Sequence, residues 1–329
     1  MNIICATDDN FVQHCSVMLA SVLVNNEDVI VWLLSEGLTE NNYSILKTEV
    51  ESKGGIFNYV EVNSKIISKL PMPDHASFSH ISPATYYRLL VSEILPLTVH
   101  KAIYLDCDIV VRGSLKELWK TEIQDCALGA VHQMWQEIEG AHRLNYPVKY
   151  GYFNAGVLLV NLDYWRQHDV SAKVVDYLIT HYETIRMHDQ DALNAVLHDK
   201  TYRLPCKWNM LHFFFLPYAK TITGRFEGRL VLDFADYKSQ LKFNRKDPRV
   251  VHYVSKPKPW QQGCVHPFVK QYFFYAKKTV SFNNIREPNW AKTKLNISAY
   301  NLTATLKWIT HPVYLALFRK KQLSTCIEQ

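Results

Sequence analysis

Ala102-Ile103-Tyr104-Leu105-Asp106-Cys107-Asp108 is a short apolar run that stops on two carboxylates one residue apart. Its length and composition read as a buried strand. Similar runs recur from Ile3 to Ala6, Val29 to Leu34, Ile56 to Val62 and Val157 to Asn161. Between them lie segments with helical spacing, Val12 to Val24, Glu40 to Lys53 and Pro83 to Leu95, the last with proline in its first turn. Strands alternating with helices argue an α/β sheet with right-handed crossovers. Ligands of such sheets gather beyond the carboxyl ends of the strands, so the residues after Ala6 and after Leu105 are site candidates on geometry alone.

The chain has 329 residues, of which 48% are hydrophobic, enough to bury a large core in one or two domains. Its net charge of +6 hides an asymmetry: residues 1–236 hold 20 Lys/Arg against 28 Asp/Glu, and residues 237–329 hold 17 against 3. A basic final third points to an anionic partner, such as a nucleotide diphosphate or a lipid surface, or else to a solvated basic face. The seven cysteines have no Cys-x-x-Cys spacing, which excludes a zinc knuckle and a disulfide framework and fits a reducing, cytoplasmic compartment. The amino terminus reads as a first strand rather than a signal peptide, and no 18-residue apolar run is present. Leu302, Leu306, Ile309, Val313 and Leu317 follow helical spacing and end on Arg319-Lys320-Lys321. That basic, aromatic-rich end suits contact with the inner face of the cytoplasmic membrane, or packing on its own domain with ordinary C-terminal cations.

Carboxylates at a strand end are hard ligands that suit Mg²⁺ or Mn²⁺ with positions left open for phosphates. Alternate residues of a regular strand face opposite ways, so Asp106 and Asp108 meet one ion only if the chain turns there or one acts through water. Val250 to Trp260 runs from an apolar strand through His252 into a basic, proline-stiffened loop, Lys256-Pro257-Lys258-Pro259-Trp260. There an imidazole ligand and a phosphate-binding lysine stand together. Ala6-Thr7-Asp8-Asp9-Asn10 offers acceptors to a base or ribose, or a cap to the following helix. Asn154-Ala155-Gly156 allows a ligand near backbone, or a bulge, and Asp189-Gln190-Asp191 puts acids in a first helical turn.

Taken in order, the Ala6 to Asn10 segment, Tyr87-Arg88, Asp106-Cys107-Asp108, Asn154-Ala155-Gly156, Asp189-Gln190-Asp191 and His252 to Trp260 resemble family 8 glycosyltransferases, particularly those of bacterial lipopolysaccharide. The resemblance covers roughly residues 1 to 265. It implies a single GT-A (Rossmann-like) α/β domain with a mixed central sheet over 1–265, followed by a basic, aromatic helical extension over 266–329. It implies transfer of galactose or glucose from a UDP-hexose, with retained configuration, to a saccharide or glycolipid acceptor. Asp106, Asp108 and His252 match the ligands of manganese, with magnesium as the other candidate. Lys258 matches a diphosphate contact, and Ala6, Asp8 and Asn10 the uracil and ribose site. Arg88, Cys107, Asn154, Ala155, Gly156, Asp189 and Gln190 match the surroundings of the donor, with Asp189 and Gln190 nearest the chemistry. Phe11 stands where relatives have tyrosine and is expected to stack on uracil, while Ser255 departs from the glycine of the His-Tyr-x-Gly pattern. The 71–83 segment, with Asp74, His75, His80 and Ser82, is a candidate loop over the donor.

Two alternatives remain at this stage: a nucleotidyltransferase, since carboxylate-held metal also serves phosphoryl chemistry, and a non-catalytic nucleotide-sugar or membrane-surface module. No phosphate-cradling glycine loop supports the first. Neither zinc-finger spacing nor an aromatic RNA motif appears, so nucleic acid is not an expected partner.

Overall fold

The computed structural model of the chain describes residues 1–63, 67–68, 70–71, 82–133, 137–215, 234–254, 256–281, 287–303 and 306. The strand expected over Ala102–Leu105 is β4 (Lys101–Leu105), and it lies at the centre of a seven-stranded sheet. The other strands of that sheet are β1 (Asn2–Ala6), β2 (Ile30–Ser35), β3 (Ile56–Glu61), β6 (Leu128–His132), β7 (Phe153–Asn161) and β8 (Thr201–Arg203), in the order β3-β2-β1-β4-β7-β6-β8. β1 pairs in parallel with β2 and β4, and β2 with β3. β7 runs antiparallel to both β4 and β6, which makes the sheet mixed.

Side chains of β4 alternate between two cores, as a strand's period of two demands. Ile103 and Leu105 pack with α1 (Val12–Asn25) and α2 (Glu40–Glu51), through Cys15, Met18, Leu19, Val22, Leu46 and Val50. Ala102 and Tyr104 face Tyr86, Leu89, Trp165, Val174 and the helix α3 (His188–Leu197). Layers on both faces explain why β7 is buried along nearly its whole length and reads as one continuous apolar run.

The helix expected over Pro83–Leu95 is a 3₁₀ helix over Pro83–Leu90 followed by a single α turn, Val91–Ile94. Ser82 opens it by accepting the Ala84 amide, and the Thr85 carbonyl, which a continuous α-helix would give to residue 89, accepts Arg88 Nε at 3.2 Å. Arg88 is thereby turned inward and is 7% exposed.

A second sheet, unforeseen in the sequence, has the order β5-β10-β9, from β5 (Ile109–Val111), β9 (Met210–Leu211) and β10 (Val250–His252). A third core joins Val110 and Val251 to Tyr253, Cys264, Val269, Tyr272 and Phe273, so that α4 (Val269–Ala276) closes over this sheet against α1. Residues 290–303 are helical. Ile309, Val313, Leu317 and the basic end of that pattern, like Ser255, Asp74, His75 and His80, lie outside the described residues.

Candidate active site

The two sheets meet at the Asp-x-Asp motif. β4 ends at Leu105, the chain turns through Cys107 and Asp108, and β5 begins at Ile109. The Asp106 amide extends the large sheet by donating to the Gly156 carbonyl at 2.9 Å, while the Asp108 carbonyl accepts the Tyr253 amide at 3.0 Å and extends the small one. This turn resolves the alternation problem: both carboxylates reach one place because the strand has ended between them.

That place also receives His252, the last residue of β10. Its Nε2 lies 3.0 Å from Asp108 Oδ1 and 3.8 Å from Asp106 Oδ2. One ligand atom from each of the three lies within 4.8 Å of the others, forming a set that could hold a metal ion. Two carboxylates and an imidazole are the donors that suit Mn²⁺ or Mg²⁺, and they fit such an ion here. Gly156 makes the convergence feasible: a Cβ there would collide with His252 Cε1 and stand 2.7 Å from Asp106 Oδ2.

Lys258 follows in the stiffened loop and reaches Asp108 Oδ2 and the Tyr253 carbonyl, each at 2.6 Å. Burial pushes the Asp108 carboxyl up, but its partners, the Lys258 ammonium foremost, outweigh it and hold the group well below the usual range. Asp108 therefore stays ionised, as a cation ligand must.

Arg88 forms the second corner. Its guanidinium meets Asp106 Oδ1 at 2.8 Å, Asp189 Oδ2 at 2.9 Å and the Ala155 carbonyl at 2.7 Å. Tyr104 adds a hydroxyl to Asp106 Oδ1 at 3.2 Å, and Thr85 one to Asp189 Oδ1 at 3.0 Å. Burial raises the Asp189 pKa to about 6 even though Arg88 pulls the other way. Gln190 Oε1 accepts from Asn154 Nδ2 and from the Ala155 amide, and its Nε2 donates to the Tyr152 hydroxyl. Both lone pairs of that oxygen thus face donors.

The proposed base-binding loop is tied to the same place by Cys107, whose thiol donates to the Ala6 carbonyl at 3.1 Å. Asp8 accepts the Asn10 and Phe11 amides in a turn that precedes α1, whose N-cap is Phe11 without a side-chain cap, and Asn10 stands exposed. Phe11 packs edge-on to Trp260 at 6.3 Å, and His14 stacks on Trp260 at 3.6 Å. The sequence-expected residues other than Ser255, Asp74, His75 and His80, which lie outside the described residues, are thus brought to one end of β1, β4, β7 and β10. Tyr104, Thr85, Tyr152 and Asn209 were not foreseen. The one usable signal was Asn209, a polar residue heading the apolar stretch Met210-Leu211 and fully buried.

A mixed GT-A-type sheet ending in an Asp-x-Asp turn, with a histidine and a lysine supplied by a later loop, defines a nucleotide-sugar-dependent transferase. Residues 2–264 match the model of glycosyl transferase family 8, and the chain belongs to that family. A crystal structure of the galactosyltransferase LgtC in complex with donor and acceptor sugar analogs superposes with a TM-score of 0.73 at 26% identity, over 86% of this chain and 98% of that one. General stress protein A of Bacillus subtilis is 29% identical, over 88% of this chain and 96% of its own length. Lipopolysaccharide 1,2-glucosyltransferase of Escherichia coli is 23% identical over 83% and 76%. Sugar transfer is the activity of this family, which sets the nucleotidyltransferase alternative aside.

Proposed function

We propose that the protein transfers galactose or glucose from a UDP-hexose to a saccharide or glycolipid acceptor of the cell surface, with retention of configuration and with Mn²⁺, or Mg²⁺, held by Asp106, Asp108 and His252. The observation that carries this reading is the convergence of those three ligand atoms beside Lys258. A divalent ion bound there would offset the negative charge that gathers on the departing diphosphate. Lys258 would then exchange its contact with Asp108 for a phosphate oxygen. Arg88 holds Asp106 and Asp189 in place, while Asp8, Asn10 and Phe11 would receive the nucleoside, Phe11 by stacking.

Retention in glycosidases uses a carboxylate nucleophile. Here Asp189 is clamped by Arg88 and Thr85, and the Gln190 oxygen faces two N–H donors. This supports front-face attack by the acceptor hydroxyl on an ion-pair-like centre, without a covalent sugar. Incubation with a UDP-2-fluorohexose followed by mass spectrometry tests it: no adduct is expected, and a glycosyl group on Asp189 or Gln190 would refute it.

On this reading, 1–265 is the catalytic unit and 266–329 the extension. In the extension, Trp290, Thr293 and Ile297 face the body while Leu295, Leu302 and Leu306 are 70%, 62% and 52% exposed. Among the described residues no helix is long and apolar enough to cross a membrane. The exposed leucines favour a peripheral contact with an anionic membrane surface. Replacing all three with Gln should reduce co-sedimentation with phosphatidylglycerol vesicles and leave UDP release intact; unchanged co-sedimentation would remove the membrane from the account.

A further inference from the structure

His252 presents Nε2 to the two carboxylates beside a buried neighbour, Asn209, that none of the sequence motifs above contains. Asn209 is fully buried, between a 3₁₀ turn at Cys206–Trp208 and β9, and its Oδ1 lies 3.0 Å from His252 Nδ1. Which end of this amide faces the ring decides where the imidazole proton sits. Amide orientation is often ambiguous, but here backbone groups remove the ambiguity.

The Ala155 and Gly156 amides can only donate. Ala155 N–H reaches Gln190 Oε1 at 3.0 Å and Gly156 N–H reaches Asn154 Oδ1 at 3.0 Å, so both side-chain atoms must be oxygens. Asn154 Nδ2 then donates to Gln190 Oε1 at 2.9 Å, and Asn209 Nδ2 donates to Asn154 Oδ1 at 2.7 Å. Only the oxygen of Asn209 is left for His252. An oxygen without a proton needs one from Nδ1, and a neutral imidazole with its proton on Nδ1 has its lone pair on Nε2. That lone pair faces Asp108 Oδ1 at 3.0 Å and Asp106 Oδ2 at 3.8 Å, an array of acceptors that calls for a shared cation.

We infer that Asn209 is a positioning residue for metal binding: it fixes the His252 tautomer and ring orientation through a hydrogen-bond chain whose polarity is set by the Ala155 and Gly156 amides. The inference rests on the divalent-ion reading of Asp106, Asp108 and His252. It also gives Asn154 and Gln190 a second task, since the polarity of the chain passes through both before reaching the ligand. Groups that orient a ligating histidine typically hold 10- to 100-fold of metal affinity.

The test is Mn²⁺ binding followed by electron paramagnetic resonance with UDP present and no acceptor, so that no turnover is needed. Asn209→Ala should weaken Mn²⁺ by about 10- to 100-fold. Wild-type affinity in Asn209→Ala would overturn the inference. Should Asn209→Ala fail to fold, ¹⁵N spectra of the wild-type histidine rings with Mg²⁺ and UDP decide the matter. His252 protonated on Nδ1 supports the inference, and protonation on Nε2 refutes it. A wild-type protein that binds no Mn²⁺ would remove the metal reading together with this one, and is told apart from failure of Asn209 alone by that arm.

Discussion

Asp108, partly exposed, and Asp191, fully buried, are two carboxylates with opposite surroundings. Asp191 accepts Arg143 through both oxygens at 2.7 and 3.1 Å, the Arg186 and Met187 amides at 2.6 and 2.8 Å, and the Tyr152 hydroxyl at 2.6 Å. Burial pushes its pKa up, but Arg143 and these donors together hold it below the ordinary 3.8. Every lone pair has a protein donor, and the group fastens the start of α3 to Arg143. Asp108 instead shares its oxygens with an imidazole that suits the same incoming cation and a lysine that suits its phosphate. A carboxylate with all its partners built in is structural; one whose partners suit an incoming cation and phosphate is functional.

If that contrast holds, the two acids fail differently. Asp108→Ala should lower UDP release on the order of 10³-fold, the several kcal/mol that a lost metal contact represents, with little change in urea midpoint. Asp191→Asn should show the reverse. It leaves Arg143 without a counter-charge and should cost about 3 kcal/mol in urea unfolding while activity per folded molecule changes little. The lowered Asp191 pKa means its contribution is present above 3.8 and lost as pH falls through the folded value, so the stability gap between wild type and Asp191→Asn should close in acid. A gap that widened in acid would reverse the assignment.

Gly156→Ala sharpens the comparison from the backbone side. With a methyl driven against His252 and Asp106, Mn²⁺ binding should fall about 10- to 100-fold by titration, while the Asp191 cluster is untouched. The smallest effect belongs to Phe11→Ala, which should raise the KM for donor about three- to tenfold, the value of one aromatic stack, and leave kcat nearly unchanged. A kcat loss without a KM change would move Phe11 out of the nucleoside site.

The strands Ile3–Ala6, Val29–Leu34, Ala102–Leu105 and Val157–Asn161 were legible because they are apolar and largely buried on both faces. Ile56–Val62 was legible from the same composition, but its strand, Ile56–Glu61, is an edge strand with no fully buried residue. Leu128–His132 was not, since Gly129 and Ala130 break the pattern and the strand is defined by pairing with β7. The small sheet had little local signal: Val250–His252 was legible as an apolar strand, but its partners are two or three residues long and come from distant segments. The candidate metal ligands were legible because their spacing and order resemble a family. Their mutual geometry could not be, because it depends on a turn at Cys107 and on Gly156. Asn209 and Asp191 look alike in sequence, each a polar residue beside apolar ones, and only their partners separate a ligand-orienting amide from a helix anchor.

The most direct test of the central claim is Mn²⁺-dependent release of UDP from a panel of UDP-hexoses, wild type beside Asp108→Ala. Release from UDP-galactose or UDP-glucose that is abolished by chelation and by Asp108→Ala is the predicted result. Release that persists without divalent ion, or that Asp108→Ala leaves intact, would contradict the site described above.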